Sequence, residues 1–235
     1  MPVSPLRRTL TIGALLATCG VTSAAADTPS RGTVALVMQA DGPNAAIDQK
    51  IRTHLESRGF AVNLLNQDAP ASRAAHARLV IMSSTISAKL VGPGWRQLPV
   101  PLLTWEDDML DDLAMTGKLD GTDYGTAKHE RFLWLVNAPH PVAAGLPAGT
   151  TTVYQKAGYM NWGKPGLGAS IIATLYGQPE KAAIFVYEKG ATMDYESQAP
   201  ARRVMFFIGN DTFTNLSGAG VQLFDAAVDW AAGDL

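Results

Sequence analysis

The chain has 235 residues, 47% of them hydrophobic, with 19 Lys and Arg against 21 Asp and Glu for a net charge of −2. No basic run or patch appears, which argues against nucleic acid and anionic membrane surfaces as partners. A single cysteine, Cys19, excludes an intramolecular disulfide framework.

The first segment reads as an export signal. Arg7 and Arg8 precede the apolar run "TLTIGALLATCGV" and the small-residue stretch "TSAAAD". This pattern predicts a signal peptide over residues 1–26, cleaved before Asp27, and a periplasmic or secreted protein. The apolar run is too short to cross a bilayer and no second one follows, so no membrane span is expected. Leu16-Ala17-Thr18-Cys19 also approximates a lipoprotein signal with a lipid anchor on Cys19, and the arginine pair a twin-arginine signal. Cleavage after Ala26 leaves 17 basic against 21 acidic residues and no cysteine. The remaining ~209 residues suffice for a single domain over 27–235 with a sizeable core.

In chain order, "TVALVMQ" (33–39) reads as a buried strand. A loop leads to a helix over 44–58, with Ile47, Ile51 and Leu55 at helical spacing and Gly59 at its end. Strands follow at 60–66, 78–84 and 100–105, with a short Ala-rich helix at 69–77. Apolar runs separated by crossovers predict an α/β fold, a flavodoxin-like doubly wound and mostly parallel sheet with helices on its faces. Strands at 131–137, 150–155, 170–176, 182–190 and 202–211 are joined mostly by short turns, so antiparallel strands are added to that core. Segments 116–130 and 156–169 read as long loops. A helix over 215–233 closes the chain, with Gly233 as its stop.

In such a sheet ligands bind outside the carboxyl ends of the strands. That rule selects Gln39 and Asp41 after the first strand, Ser83 and Ser84 after the third, Trp105, Glu106, Asp107 and Asp108 after the fourth, and Asn210 and Asp211 after the last. The stretch "TWEDDMLDD" holds five carboxylates. Read as a helix start, it explains Asp111 and Asp112 as solvated acids of the first turns. Glu106, and then Asp108, remain as the candidate acid or base. His140, between prolines in "APHPVAAGLP", suits proton transfer or bracing of its loop. The histidines show no zinc-ligand spacing, so no metal residues are assigned, and no cofactor is expected. Tyr159 and Trp162 in "GYMNWGKPG" could stack on a sugar or pack their loop down.

"APHPVAAGLP" resembles the "HP(I/V)xxGLP" loop of the ThuA-like trehalose-utilisation family, and "RRVMFFIGND…LFDAAVDWAAG" resembles that family's closing strand and helix. The segment from "RLVIMSS" to "DDLAMTG" is similar to a domain recurring in exported bacterial proteins. The resemblance implies the class I glutamine-amidotransferase-like superfamily and its flavodoxin-like sheet. Two departures count against catalysis. The nucleophile position of that superfamily falls on Met82-Ser83-Ser84-Thr85, with no cysteine, so glutaminase chemistry is not expected. Asn210 stands where the ThuA-like pattern has a histidine.

Three functions follow. The first is an exported non-catalytic or ligand-binding module, with a small-molecule or carbohydrate ligand. The second is a sugar- or glycoside-active enzyme using Glu106, Asp108 and His140. The third is a divalent-cation site built from Glu106, Asp108 and Asp211.

Overall fold

The computed structural model of the protein describes Met1 and residues 31–235; the rest of the expected signal segment, Cys19 included, lies outside the described residues. Strand β1 (Thr33–Met38) leads through helix α1 (Ala45–Ser57) to β2 (Ala61–Asn66), then to β3 (Leu79–Met82) and β4 (Leu102–Thr104). With β11 (Arg203–Met205) these strands run parallel in the order β2-β1-β3-β4-β11. The order reverses at β1. Strands β3, β4 and β11 are buried along their whole length. That double-sided burial is why they read as continuous apolar runs rather than alternating ones.

Strand β10 (Gln178–Tyr187) pairs antiparallel with β11 and extends the sheet through β9 (Ser170–Leu175), β6 (Phe132–Leu135) and β7 (Gly149–Thr152). The expected mixed sheet is therefore present. Two strands were not expected. Segments 116–130 and 156–169, read as loops, contain β5 (Tyr124–Glu130) and β8 (Gly158–Gly163), an antiparallel pair that meets β10 through Gly163 and Ala182. Only Tyr124 and Gly125 of β5 are buried, so it carries no apolar run or alternation to announce a strand.

The two faces of the sheet hold separate cores. Val34, Leu36, Ile81, Leu103 and Phe206 pack with Ile51 and Leu55 of α1 and with Leu223 and Phe224 of helix α2 (Gly218–Ala232). Ala35, Val37, Val80, Met82 and Met205 face Trp95, Met109, Leu110 and Leu113. Both α-helices thus lie on one face. The other face is covered by loops and 3-10 turns, and the Ala-rich segment expected as a helix is one such turn, Ala71–Ala74. Four residues cannot repay helix nucleation, whereas a turn needs only local bonds.

Helix α2 begins at Ser217, whose hydroxyl accepts from the amide of Gly220 at 3.1 Å, and stops at Gly233 in the left-handed region. Gly220 is required by packing. A Cβ there would lie 2.4 Å from the carbonyl oxygen of Val153. Arg203 is wholly buried at the start of β11, where its guanidinium donates to the carbonyls of Leu98 at 2.8 Å and Val100 at 2.9 Å. It satisfies the loop that enters β4 from the amino-terminal edge of the sheet.

Candidate functional site

A crevice of about 890 Å³ opens at the carboxyl ends of β3, β4 and β11. Ser84 and Lys89 come from the segment after β3, the acids 106–108, 111 and 112 from the segment after β4, and Asn210 and Asp211 from the segment after β11. The β5–β8 pair supplies the facing wall through Tyr124, Thr126, Tyr159 and Asn161. The strand-end rule thus located the crevice, and the unexpected strands complete it.

No α-helix follows β4. The backbone makes a 3-10 turn, Asp107–Met109, and then irregular turns through Ala114, which has a φ of 57°. The acids are therefore not spread around a helix; they fold over the crevice, and Asp111 and Asp112 line it as well. Glu106 is 7% exposed, and its amide is held by the Thr104 hydroxyl at 3.1 Å. Burial, with Asp107 and Asp108 adding repulsion, pushes its carboxyl up to about 9, so it is protonated at neutral pH. Burial and Asp108 also raise Asp107, which accepts from Thr126 at 3.2 Å. The ring of Tyr124 is buried, and its hydroxyl is pushed up to about 12 by desolvation and by Asp111, Asp108, Asp120 and Asp107.

The two serines after β3 have different surroundings. The Ser83 hydroxyl accepts from the Thr85 amide at 3.3 Å, and the Thr85 hydroxyl donates to Asp48 of α1 at 2.7 Å. The amide of Gln39 reaches the same Thr85 hydroxyl at 3.3 Å, so this knot ties β1, α1 and β3 together where the strand order reverses. Asp48 is fully buried and its carboxyl is raised by desolvation. Ser84 lines the crevice, is 5% exposed, and its hydroxyl has no protein partner. Positive φ, the mark of a sharp nucleophile elbow, is absent at Ser84, and no cysteine or histidine lines the crevice among the described residues.

Asn161 holds the two walls together. Its side-chain amide donates to the carbonyls of Trp105 at 2.5 Å and Ile208 at 3.2 Å, and its side-chain oxygen accepts from Thr126 at 2.9 Å. Below it the Tyr154 hydroxyl donates to the carbonyl of Tyr159 at 2.9 Å and pairs with Thr212 at 2.8 Å, while Thr212 accepts from the Gly209 amide at 2.8 Å. The loop 209–212 is thereby set in place.

Of the residues expected at the site, Ser84, Glu106, Asp108, Asn210 and Asp211 meet in the crevice. Five others do not. Trp105 is 1% exposed and packs on Phe224, 6.0 Å between ring centroids, because the strand's alternation turns it toward α2. Ser83 is taken up by the Thr85 knot, Gln39 folds back over Gly42, and Asp41 is exposed in the turn before α1, outside the crevice. His140 caps the turn Pro141–Ala143, with the Val142 amide donating to its Nδ1 at 3.2 Å, and packs on Trp230 at 5.5 Å. Trp230 in turn carries the guanidinium of Arg202, which precedes β11, so His140 sits at the opposite edge of the sheet. Burial, the leading cause, lowers its pKa.

Sequence reasoning assigned no site role to Asn161, Thr126, Tyr124 or Lys89. None belongs to a motif, and three lie in the segments read as loops. Asn44, at the start of α1, makes no capping bond with its side chain and lines the crevice. Of the aromatic pair, Tyr159 stands at the rim, 49% exposed, while Trp162 is packed down beneath Lys181. Among the described residues no group of three His, Cys, Asp or Glu side chains is disposed to hold a metal ion, so Glu106, Asp108 and Asp211 share a crevice without forming a metal-binding cluster.

No family model matches the chain, and no curated protein matches it. Among solved structures it is similar to a protein from Thermoplasma acidophilum named for GMP synthase, at 11% identity and a TM-score of 0.55, over 86% of this chain and 96% of that one. At that identity the likeness speaks for the fold alone. Together with the β2-β1-β3-β4-β11 order, it establishes that this chain has an α/β, flavodoxin-like fold.

Proposed function

We propose that the chain is an exported ligand-binding protein, a member of this fold class without glutaminase chemistry, that takes a small polyhydroxylated ligand of carbohydrate type. The export reading rests on residues 1–26. The single observation that carries the binding reading is the open crevice of about 890 Å³ at the strand ends, lined largely by polar side chains and large enough for a disaccharide. Asn210 and the exposed face of Tyr159 add further contacts suited to a sugar. The ThuA-like resemblance of 138–147 and of the closing strand and helix gives this reading a carbohydrate context. The test is calorimetric titration of the full chain with a panel of mono- and disaccharides. Saturable binding that Asn210→Ala weakens is the expected result; no heat with any sugar overturns the reading.

A second reading is a sugar- or glycoside-active enzyme. One observation favours it: Glu106 keeps its proton to about pH 9, as a general acid must at neutral pH. His140 lies too far round the sheet to assist.

A further inference from the structure

The antiparallel end of the sheet turns an aromatic face to solvent. Along β6 the burial alternates. Leu133 and Leu135 point into the core, while Phe132 and Trp134, with Val136 just beyond the strand, point outward and are exposed. The solvated face of an antiparallel sheet ordinarily carries polar side chains. Here the edge strand β7 follows that rule, with exposed Thr152 opposite Phe132 and exposed Thr150 opposite Trp134. On the other flank Tyr176, just past β9, is 50% exposed. Its ring centroid lies 6.4 Å from that of Trp134 and 6.2 Å from that of Phe132. The three rings form one strip, flanked by the two threonine hydroxyls.

Trp134, Val136, Tyr176 and Pro179 help to line a hollow of about 430 Å³, the size of a small-ligand site. No Lys, Arg, His, Asp or Glu is among its lining residues, and it shares none of them with the acidic crevice. A charged ligand would lose hydration there without gaining a partner, so the occupant is neutral. The exposed parts of Phe132, Trp134, Val136 and Tyr176 offer roughly 300–400 Å² of apolar surface, the size of a functional patch on a monomer. A standard protein interface takes ~800 Å² from each partner, so this face is too small to hold a second copy of the chain firmly. A pyranose matches it: the C–H groups of its flat face stack on aromatic rings, and the hydroxyls around its edge suit threonine hydroxyls. We infer that this face is a saccharide-binding site separate from the crevice, a stacking platform for a linear neutral glycan anchored by Trp134 and Tyr176. The platform goes beyond the crevice reading and does not depend on it.

Cellohexaose and maltohexaose, titrated into the full chain, are the probes, read by calorimetry and by tryptophan fluorescence. Trp134, 46% exposed, is the one tryptophan of five that is not buried. Saturable binding of at least one hexasaccharide with a fluorescence change is therefore expected. Trp134→Ala and Tyr176→Ala should each weaken it about tenfold or more at unchanged secondary structure by circular dichroism, the scale of a lost aromatic contact and its buried area. Trp134→Phe keeps a ring and should bind within about threefold by calorimetry while losing the fluorescence change. Failure of both hexasaccharides to bind overturns the inference, and the mono- and disaccharide panel still tests the crevice separately. Binding that Trp134→Ala leaves intact and Asn210→Ala removes overturns it too, and assigns the glycan to the crevice. A dimer seen by sedimentation and dissolved by Trp134→Ala also overturns it, and gives the face to a second copy.

Discussion

The side-chain amide of Asn161 donates to the carbonyl of Trp105 at 2.5 Å and, on its other side, to the carbonyl of Ile208. One buried residue of β8 therefore satisfies the backbone at the ends of two core strands. It also sets the distance between the acids after β4 and the loop after β11. Replacing it with alanine leaves both carbonyls short of a partner, while the Thr126 hydroxyl keeps Asp107. Asn161→Ala is expected to cost about 2–4 kcal/mol, at ~1–3 kcal/mol for each buried group left unpaired. Urea unfolding measures this, and a loss under about 0.5 kcal/mol, the scatter of neutral surface changes, would show that the bridge is dispensable.

Glu106 ties stability to pH. Its folded pKa, about 9, lies above its ordinary value of 4.5, so between those limits the folded state holds a proton that the unfolded state has released. Its contribution is complete below pH 4.5 and is lost as pH rises toward 9. The slope is about −1.4 kcal/mol per pH unit at most. Glu106→Gln keeps a neutral side chain of the same shape and should flatten the slope and raise Tm above neutral pH. Parallel Tm profiles for the two proteins between pH 5 and 9 would contradict the buried, protonated carboxyl.

Substitution at Glu106 also separates binder from enzyme. Glutamine can take part in hydrogen bonds as the protonated acid does but cannot give up a proton. In a binding protein Glu106→Gln leaves ligand affinity within about threefold, less than a single hydrogen bond is worth. In a glycoside-active enzyme the same change leaves binding intact and lowers turnover ~100-fold or more. Titration alongside glycoside-hydrolysis assays reads both quantities on one preparation.

Ser84 and Ser83 should respond in opposite ways. The buried Ser84 hydroxyl has no partner in the protein, so Ser84→Ala should leave stability unchanged or slightly higher. Ser83→Ala removes an acceptor from the Thr85 knot and should lower stability by ~1 kcal/mol with no effect on ligand. His140→Ala serves as the control for the far edge of the sheet and should leave ligand affinity untouched. A ligand effect at His140 equal to that of Asn210→Ala would place the site elsewhere.

What could be read from the chain alone follows from burial. Strands such as "LVIM" (79–82) and "LLT" (102–104) are enclosed on both faces, so the sequence carries continuous apolar runs there, and the parallel core was legible. The position of the crevice was legible too, because strand direction dictates which ends gather. Helix α1 was visible through Ile47, Ile51 and Leu55. The β5–β8 pair was not, because it lies off the main sheet path and β5 buries too few residues to leave a periodic trace.

The sequence by itself determined the α/β class and the strand ends at which Glu106, Asp108, Ser84, Asn210 and Asp211 lie. Each of these depends on residue identity and on local order along the strand. Only the tertiary structure decided that Trp105 turns into the core, that His140 belongs to the opposite edge, and that Asn161 reaches across to Trp105 and Ile208. Those outcomes depend on the alternation of side chains across a strand and on contacts 47 and 56 residues apart, which no local pattern encodes.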